Sequence, residues 1–267
     1  MPDRQTACAA PADGETPDFE RRFGGVRRLY GDAALRRFRA ARIAIVGIGG
    51  VGSWVAEALA RSAVGNITLI DLDMVAESNV NRQIHALDGV FGKAKTLAMT
   101  ERIRAIDPSC RVEAVEDFVT PENVDALIGD GFDHVVDAID QVRAKAAIIA
   151  HCVRHGCPLV CAGGAGGRTD PARIAIADLS RTVQDSLLAR VRASLRKDYG
   201  FPRDPGKKFG VPAVFSSEPA RRPARGSAAG LSCAGYGSSV CVTATFGFIA
   251  AGVVLNRLAR SEADRGR

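Results

Sequence analysis

Short apolar runs alternate with amphipathic stretches over the first two thirds of the chain. The apolar runs predict five strands, at residues 42–46, 66–71, 111–115, 134–138 and 158–162. The amphipathic stretches predict helices between them, at residues 52–61, 93–106, 121–128 and 142–155. Strands that are apolar throughout are typical of a parallel sheet covered by helices on both faces. The alternation therefore predicts an α/β fold with a doubly wound, mainly parallel sheet.

The pattern changes after residue 167. Residues 173–177 and 213–217 read as strands and residues 183–197 as a helix, which predicts an antiparallel C-terminal extension. The run 238–255 contains no charged residue and is near the length of a membrane span. Its threonines and glycines favour a C-terminal apolar helix buried against the sheet, and membrane attachment is the alternative.

These changes in composition and hydrophobic pattern divide the chain into five parts. We expect a flexible tail at residues 1–17 and a basic N-terminal helical arm at residues 18–41. The α/β core follows at residues 42–167, and the extension at residues 168–260 carries a mobile loop at 218–237 that is rich in Pro, Gly, Ser and Arg. Residues 261–267 form a second tail.

Composition narrows the class of protein. The chain has 267 residues, of which 46% are hydrophobic, enough for one large core. Its seven cysteines include no Cys-x-x-Cys pair, so neither a disulfide framework nor a tetracysteine zinc site is indicated, and a cytoplasmic location is expected. The net charge is +6, and arginines crowd residues 21–42 and 221–225. Charge alone fits an anionic partner larger than a nucleotide and a solvated surface equally well.

A glycine-rich turn joins the first predicted strand to the first helix of the core. The glycines let backbone N–H groups approach a phosphate, and the helix N-terminus adds partial positive charge, as in Rossmann-like folds. Asp71 lies 19 residues beyond the turn, where an acid that binds ribose is expected. The turn alone fits a dinucleotide as well as other nucleotides; its glycines are Gly47, Gly49, Gly50 and Gly52.

Charged residues beyond Asp71 favour a nucleoside triphosphate over a dinucleotide. Arg82 and Lys95 can neutralise phosphate oxygens, and Asp140, near the end of a strand, can hold Mg²⁺. A catalytic role for Asp137 and a structural one are about evenly balanced.

Five ordered motifs resemble the adenylation core of the E1-like superfamily of ubiquitin-activating, ThiF and MoeB enzymes. The motifs are Gly47-x-Gly49-Gly50-x-Gly52, Asp71-x-Asp73, Asn79-x-x-Arg82-Gln83, Gly92-x-x-Lys95 and Asp137-x-x-Asp140. The resemblance implies ATP and Mg²⁺ as cofactors and adenylation of a carboxylate. It implies catalytic roles for Arg82, Lys95 and Asp140, with Asp140 as the metal ligand. It also implies nucleotide contacts from the other motif residues, although Asp73 could instead cap a turn and Asn79 a helix.

Further motifs, spread over nearly the whole chain, resemble one branch of this superfamily, the tRNA threonylcarbamoyladenosine dehydratases. They include residues 22–25, 81–85, 117–121, 162–167 and 242–247. The branch implies ATP-dependent cyclisation of threonylcarbamoyladenosine in tRNA next to the anticodon. It also implies a homodimer and a sulfur-transfer accessory protein as partners. Arg22 or Arg28 could then act across the dimer, and Cys233 is a tentative nucleophile.

Three other functions stay open at this point. One is E1-like adenylation of the C-terminus of a ubiquitin-like or sulfur-carrier protein, although members with that activity commonly carry paired Cys-x-x-Cys zinc ligands. A nicotinamide dehydrogenase is a second, and a noncatalytic scaffold on the same fold is a third.

Overall fold

The computed structural model describes residues 18–221 and 236–260. The two predicted tails, most of the predicted loop at 218–237, and Cys233 lie outside the described residues.

Seven strands form one sheet in the order β3-β2-β1-β4-β5-β7-β6. All neighbouring pairs are parallel except β6 and β7, which are antiparallel. The predicted fold class is thereby confirmed. The strands are β1 (Arg42–Val46), β2 (Asn66–Ile70), β3 (Arg111–Val115), β4 (His134–Asp137), β5 (Leu159–Ala162), β6 (Ile174–Asp178) and β7 (Pro212–Ser216).

Eight α-helices accompany the sheet in the described part of the chain. They are α1 (Phe19–Tyr30), α2 (Asp32–Ala40), α3 (Gly52–Arg61), α4 (Lys95–Ile106), α5 (Val124–Ile128), α6 (Val142–His155), α7 (Ser186–Asp198) and α8 (Val240–Ala259). Alternate residues of the strands feed two apolar clusters. One holds Ile43 and Ile45 with side chains of α2, α3, α4 and α8, and the other holds Ala44 and Val46 with side chains of α5, α6 and α7. The sheet is therefore covered on both faces, as its apolar strands require.

Helices α4 and α5 begin two to three residues later than their apolar patterns predict. Gly92 has φ +84°, and Ala94 has extended backbone and bridges to Met74, so α4 begins at Lys95. Before α5, the side chain of Asn123 accepts a hydrogen bond from the Thr120 N–H and donates one to the Phe118 carbonyl. The Asn123 side chain holds residues 118–123 in a turn, and α5 begins only at Val124.

The apolar run near the C-terminus forms helix α8, which packs chiefly on α3 and α2. A Cβ built at Gly247 would lie 2.7 Å from both Trp54 Cβ and the Val51 carbonyl oxygen. The glycine therefore lets α8 contact the backbone of α3. By length and hydropathy α8 could also cross a membrane, but half of its most apolar window is buried in the fold. The prediction of a buried covering helix is confirmed.

The basic arm forms two helices, α1 and α2, that join distant parts of the chain. Arg22 donates a hydrogen bond to the carbonyl of Ile106 at the end of α4. Arg37 donates to the carbonyls of Leu258 and Ala259, the last two residues of α8. These bonds satisfy carbonyl groups that a helix end leaves without intrahelical partners.

Candidate nucleotide site

A cavity of about 310 Å³ opens at the carboxyl edge of the sheet, beside the ends of β1, β2 and β4. Open α/β sheets bind ligands at this edge, where the strand order reverses. Nine residues predicted for the site line the cavity: Gly47, Gly49, Gly50, Asp71, Asp73, Arg82, Gln83, Lys95 and Asp140. The loops therefore bring together residues that are up to 93 positions apart in the sequence.

The glycine turn needs its glycines for two different reasons. Gly47 has φ +88°, which L-residues with a Cβ rarely adopt, and an added Cβ would lie 2.9 Å from the Ile139 side chain. At Gly52 an added Cβ would lie 1.8 Å from the Gly47 carbonyl oxygen, so no side chain fits between turn and helix. The first residue of α3 is thus held against the turn, although Gly52 itself does not line the cavity. No side chain caps α3; the Ser53 and Trp54 N–H groups donate to the carbonyls of Gly49 and Val51, and the helix N-terminus adds partial positive charge beside the turn.

Asp71 connects the glycine turn to the loop after β2. Its Oδ2 atom accepts a hydrogen bond of 2.6 Å from the Ile48 N–H, and Oδ1 accepts one of 2.8 Å from the Asp73 N–H. The carboxylate is buried yet borders the cavity. Each oxygen has a second lone pair, so the group can still accept hydrogen bonds from ribose hydroxyls.

Lys95 and Asp73 form an ion pair across the cavity wall, with 2.6 Å between Nζ and Oδ2. The lysine side chain is 7% exposed and the aspartate 54% exposed, so only the aspartate is well solvated. A phosphate beside Lys95 would compete with Asp73 for the ammonium group. When a phosphate takes its place beside Lys95, Asp73 is free to turn towards water. The ion pair therefore neutralises the lysine reversibly.

Arg82 lies over the glycine turn. Its Cγ and Cδ atoms would be 3.2 Å from a Cβ at Gly50, and Nη1 donates hydrogen bonds to the Ser78 carbonyl and Asn81 Oδ1. Trp54 donates its indole N–H to the Arg82 carbonyl at 2.9 Å, which fixes the backbone of this residue on α3. The guanidinium group is thus held at the rim of the cavity, with its N–H donors near the glycine turn.

Asn79 shapes the loop that carries Arg82 and does not line the cavity. It ends a 3-10 helix, Glu77–Asn79, and its Oδ1 accepts a hydrogen bond from the Ala76 N–H at 3.0 Å. Its carbonyl accepts from the N–H groups of Arg82 and Gln83. The residue therefore caps the turn that precedes it; no helix forms around Arg82.

The two aspartates after β4 differ in environment. Asp140 is exposed and borders both the nucleotide cavity and a smaller neighbouring cavity lined by Arg168, Ser186 and Tyr236, among others. Asp137 is fully buried, 2.8 Å from Lys145 Nζ, and does not line the cavity. Burial raises the pKa of the Asp137 carboxyl, and Lys145 opposes that rise. The geometry gives Asp137 a structural position and Asp140 an accessible one.

Sequence reasoning missed several residues that line the cavity. Asp117, Phe118 and Val119 come from the loop after β3, and Gln141 lies just before α6. Small residues of the 163–165 loop, with Ser238 and Thr243 at the start of α8, complete the wall. The motifs at residues 117–121, 162–167 and 242–247 include Asp117, the 163–165 loop and Thr243 without giving them a role at the site, whereas no motif includes Gln141.

The tentative arginines lie away from the cavity of their own chain. Arg28 is exposed on α1, and Arg22 is bound to the end of α4. Neither lines the nucleotide cavity. If either arginine takes part in catalysis, it must therefore act at the cavity of a second subunit.

A doubly wound sheet with a glycine turn, a buried aspartate and two cations at its carboxyl edge defines a nucleotide-binding protein of the Rossmann-like class. The sequence profile of the ThiF family matches residues 23–258. The chain belongs to the ThiF family, as its motifs predict.

Two curated relatives cover nearly the whole chain. The tRNA threonylcarbamoyladenosine dehydratase of Haemophilus influenzae is 48% identical over 250 residues, which are 92% of this chain and 96% of the relative. The enzyme of the same name from Escherichia coli is 49% identical over 260 residues, which are 93% and 97% of the two chains. The crystal structure of the E. coli tRNA N6-threonylcarbamoyladenosine dehydratase, TcdA, in complex with AMP superposes with a TM-score of 0.85 at 49% identity, covering 94% and 98% of the two chains. Its complex with ATP also gives a TM-score of 0.85, at 50% identity, covering 91% and 96%.

Proposed function

We propose that this protein is an ATP-dependent tRNA-modifying enzyme that cyclises N6-threonylcarbamoyladenosine, next to the anticodon, with loss of water. The observation that carries the proposal is the joint presence of a complete nucleotide cavity and near-full-length similarity to dehydratases of that name. The related TcdA binds ATP and AMP, and this chain places Gly47, Asp71, Arg82 and Lys95 around one cavity. ATP is therefore the nucleotide that the site takes.

The chemistry follows from the weak reactivity of a carboxylate. The threonyl carboxylate of the substrate attacks the α-phosphate of ATP, and pyrophosphate leaves as the acyl-adenylate forms. Lys95, Arg82 and the partial positive charge at the start of α3 balance the charge that develops on the phosphates. The attacking atom of the second step already belongs to the substrate, so ring closure expels AMP without an enzyme nucleophile. The oxygen of the departing water leaves with AMP.

The donor set beside the phosphates fits a magnesium ion. Magnesium prefers oxygen ligands and keeps several waters, and Asp140 offers an accessible carboxylate on the cavity wall. Asp73 becomes a second oxygen donor at the same cavity if a phosphate draws Lys95 away from it. When bound, the ion would neutralise phosphate charge. We assign it to Asp140, with the side chain of Gln141 beside it.

The direct test uses full-length protein with ATP, Mg²⁺ and tRNA that carries threonylcarbamoyladenosine. Nucleoside mass spectrometry should show loss of one water from the modified base. Arg82→Ala, Lys95→Ala and Asp140→Asn should each lower the rate by about a hundredfold or more, whereas Cys233→Ala should retain appreciable activity. Lys93→Ala is a matched control, because this exposed lysine pairs with Glu101 and does not line the cavity.

Two outcomes would contradict the proposal. An unchanged nucleoside mass with competent tRNA would remove the cyclisation. ATP–pyrophosphate exchange that requires a protein ending in Gly-Gly, and ignores tRNA, would favour the alternative activity on a carrier protein.

We also propose that the basic arm contacts the tRNA backbone. Arg21, Arg28 and Arg36 are exposed on α1 and α2 and form no ion pair with the described residues. Each phosphate contact that is lost should lower the slope of log affinity against log salt by about 0.7 to 0.9. The pair of variants Arg28→Gln and Arg36→Gln should therefore flatten that slope, and an unchanged slope would remove these arginines from the interface.

A homodimer in the cytoplasm is the assembly and location that we propose. Leu72, Met74, Val80, Leu87, Phe91 and Leu97 are apolar and 38–56% exposed within one segment, which is typical of an interface. The five described cysteines are free thiols, as expected in a reducing compartment. Sedimentation at micromolar concentration tests the dimer, and a monomer that is fully active would refute its need.

A further inference from the structure

A second cavity, of about 600 Å³, lies at the opposite edge of the sheet, where β4, β5 and β7 begin. Its size is within the range of small-molecule sites. The polar and thiol side chains that line it come from three elements. They are His134 of β4, Cys152 and Cys157 around the end of α6, and Asn256, Arg257 and Arg260 of α8 and its end. None of the residues that the nucleotide cavity uses is among them.

The lining of this cavity is positively charged. Arg257 and Arg260 both face it, no acidic side chain lines it, and neither arginine forms an ion pair or hydrogen bond with the described residues. The last carbonyls of α8 receive hydrogen bonds from Arg37, so capping that helix end does not occupy the two arginines. Uncompensated guanidinium groups around a concave surface are suited to an anion.

One polar atom of a buried side chain is also left for a ligand. His134 is 1% exposed and donates from Nδ1 to the Val135 carbonyl at 3.0 Å. Its Nε2 makes no hydrogen bond with the described residues. Burial lowers the pKa of His134 to about 4, so the ring is neutral and Nε2 is an acceptor. An anionic molecule that also carries N–H or O–H donors satisfies both the arginines and this histidine.

Cys157 gives the cavity a nucleophile. Its thiol is half-buried, 3.5 Å from the Phe132 carbonyl oxygen. A hydrogen bond from Cys152 lowers the pKa of Cys157, burial opposes this, Asp133 raises the pKa, and Arg257 lowers it again. The same hydrogen bond, then burial, raises the pKa of Cys152, so Cys157 is the more acidic of the two thiols. The thiolate is the reactive form of cysteine.

We propose that Cys157 is a modification site at which the thiol exchanges with an anionic low-molecular-mass disulfide bound by Arg257 and Arg260. The Cys157 thiolate attacks one sulfur of the disulfide. A new sulfur–sulfur bond joins Cys157 to half of the reagent, the original bond breaks, and the other half leaves as a thiolate. Cys157 is oxidised and the departing half is reduced, so no further oxidant is needed.

The test uses full-length protein and glutathione disulfide as the anionic probe. Peptide mass spectrometry follows the mixed disulfide at each of the seven cysteines over time. Cys157 should react about tenfold faster than the exposed Cys241, because its thiol is activated and the probe is held by charge. Cyclisation activity should be unchanged in Cys157→Ser, since this residue is remote from the nucleotide cavity.

A neutral probe separates charge from reactivity. Arg257→Gln with Arg260→Gln should slow the reaction of Cys157 with glutathione disulfide several-fold, and leave that with hydroxyethyl disulfide within about twofold. In the unsubstituted protein, added salt should slow the reaction of Cys157 with glutathione disulfide and not that with hydroxyethyl disulfide. This comparison keeps the test decisive if the arginine variants are unstable. Faster modification of another cysteine would overturn the site. Equal salt dependence for the two probes would overturn the anion-binding role.

Discussion

Removal of one member of the buried Lys145–Asp137 pair should destabilise the protein far more than removal of both. Both side chains are 0% exposed, with 2.8 Å between Nζ and Oδ1, and Lys145 Nζ also donates to the Asp137 carbonyl oxygen at 3.2 Å. Lys145→Met leaves a carboxylate in an apolar interior without its counter-ion. Losing one partner of such a pair costs about 3–5 kcal/mol.

That loss is large enough to measure by thermal unfolding. For a domain of this size, 1 kcal/mol lowers the Tm by roughly 2–4 °C, so Lys145→Met should melt roughly 6–20 °C below the unsubstituted protein. The double variant Lys145→Met with Asp137→Asn removes both charges. Its loss should be smaller than that of Lys145→Met alone, with a coupling free energy of about 2 kcal/mol or more.

The pH dependence gives a second measurement on the same variant. Without Lys145, burial raises the pKa of Asp137 further, and the folded state then binds the proton more tightly than the unfolded state. Stability of Lys145→Met should therefore be greatest at acid pH and fall as pH rises through the folded pKa. Additive losses in the double variant, or a defect that does not change with pH, would refute the reading of Asp137 as a structural anion.

Three more predictions concern the turn, the covering helix and a buried histidine. Gly52→Ala should abolish ATP binding by calorimetry, since its Cβ would lie 1.8 Å from the Gly47 carbonyl oxygen; near-normal affinity would contradict the close contact. Gly247→Val should lower the free energy of unfolding in urea by about 1–3 kcal/mol, because α8 must move off α3. An unchanged free energy of unfolding would show that α8 can move away from α3 without loss of stability. Burial, then Lys95 and Arg102, lowers the pKa of His85 to about 4 from 6.5, so stability should fall as pH falls from 6.5 to 4, by roughly 3 kcal/mol from this group. His85→Gln should flatten that part of the curve, and an unchanged slope would count against the histidine as its cause.

The parallel core was predictable because its signal is local. Each strand that is buried on both faces appears as a short apolar run, and each crossover helix begins or ends at a glycine, a proline or a capping residue. The starts of α4 and α5 were not predictable in this way, because a left-handed glycine and the Asn123 side chain decide them. Those choices depend on hydrogen bonds that periodicity does not record.

Site residues were predictable where they belong to a sequence motif that lines the cavity. Gly47, Asp71, Arg82 and Lys95 each belong to a recognisable spacing, and the fold brings them to one cavity. Gln141 belongs to no motif, and the motif that contains Thr243 gives it no role at the site, because the position of each at the cavity depends on how α6 and α8 pack. The ion pair of Asp137, at the end of β4, was equally unpredictable, since its partner Lys145 lies eight residues further along the chain, on α6.

Helix α8 has a consequence for protein synthesis. Ser238 and Thr243, at its start, complete the nucleotide cavity, and Gly247 fixes it to α3, whose first turn faces the phosphate-binding loop. Every other wall of that cavity is encoded before residue 166. A nascent chain that stops short of α8 thus contains all its charged phosphate-binding side chains in an unfinished cleft. Fragments that end before α8 should therefore bind ATP more weakly than the full chain.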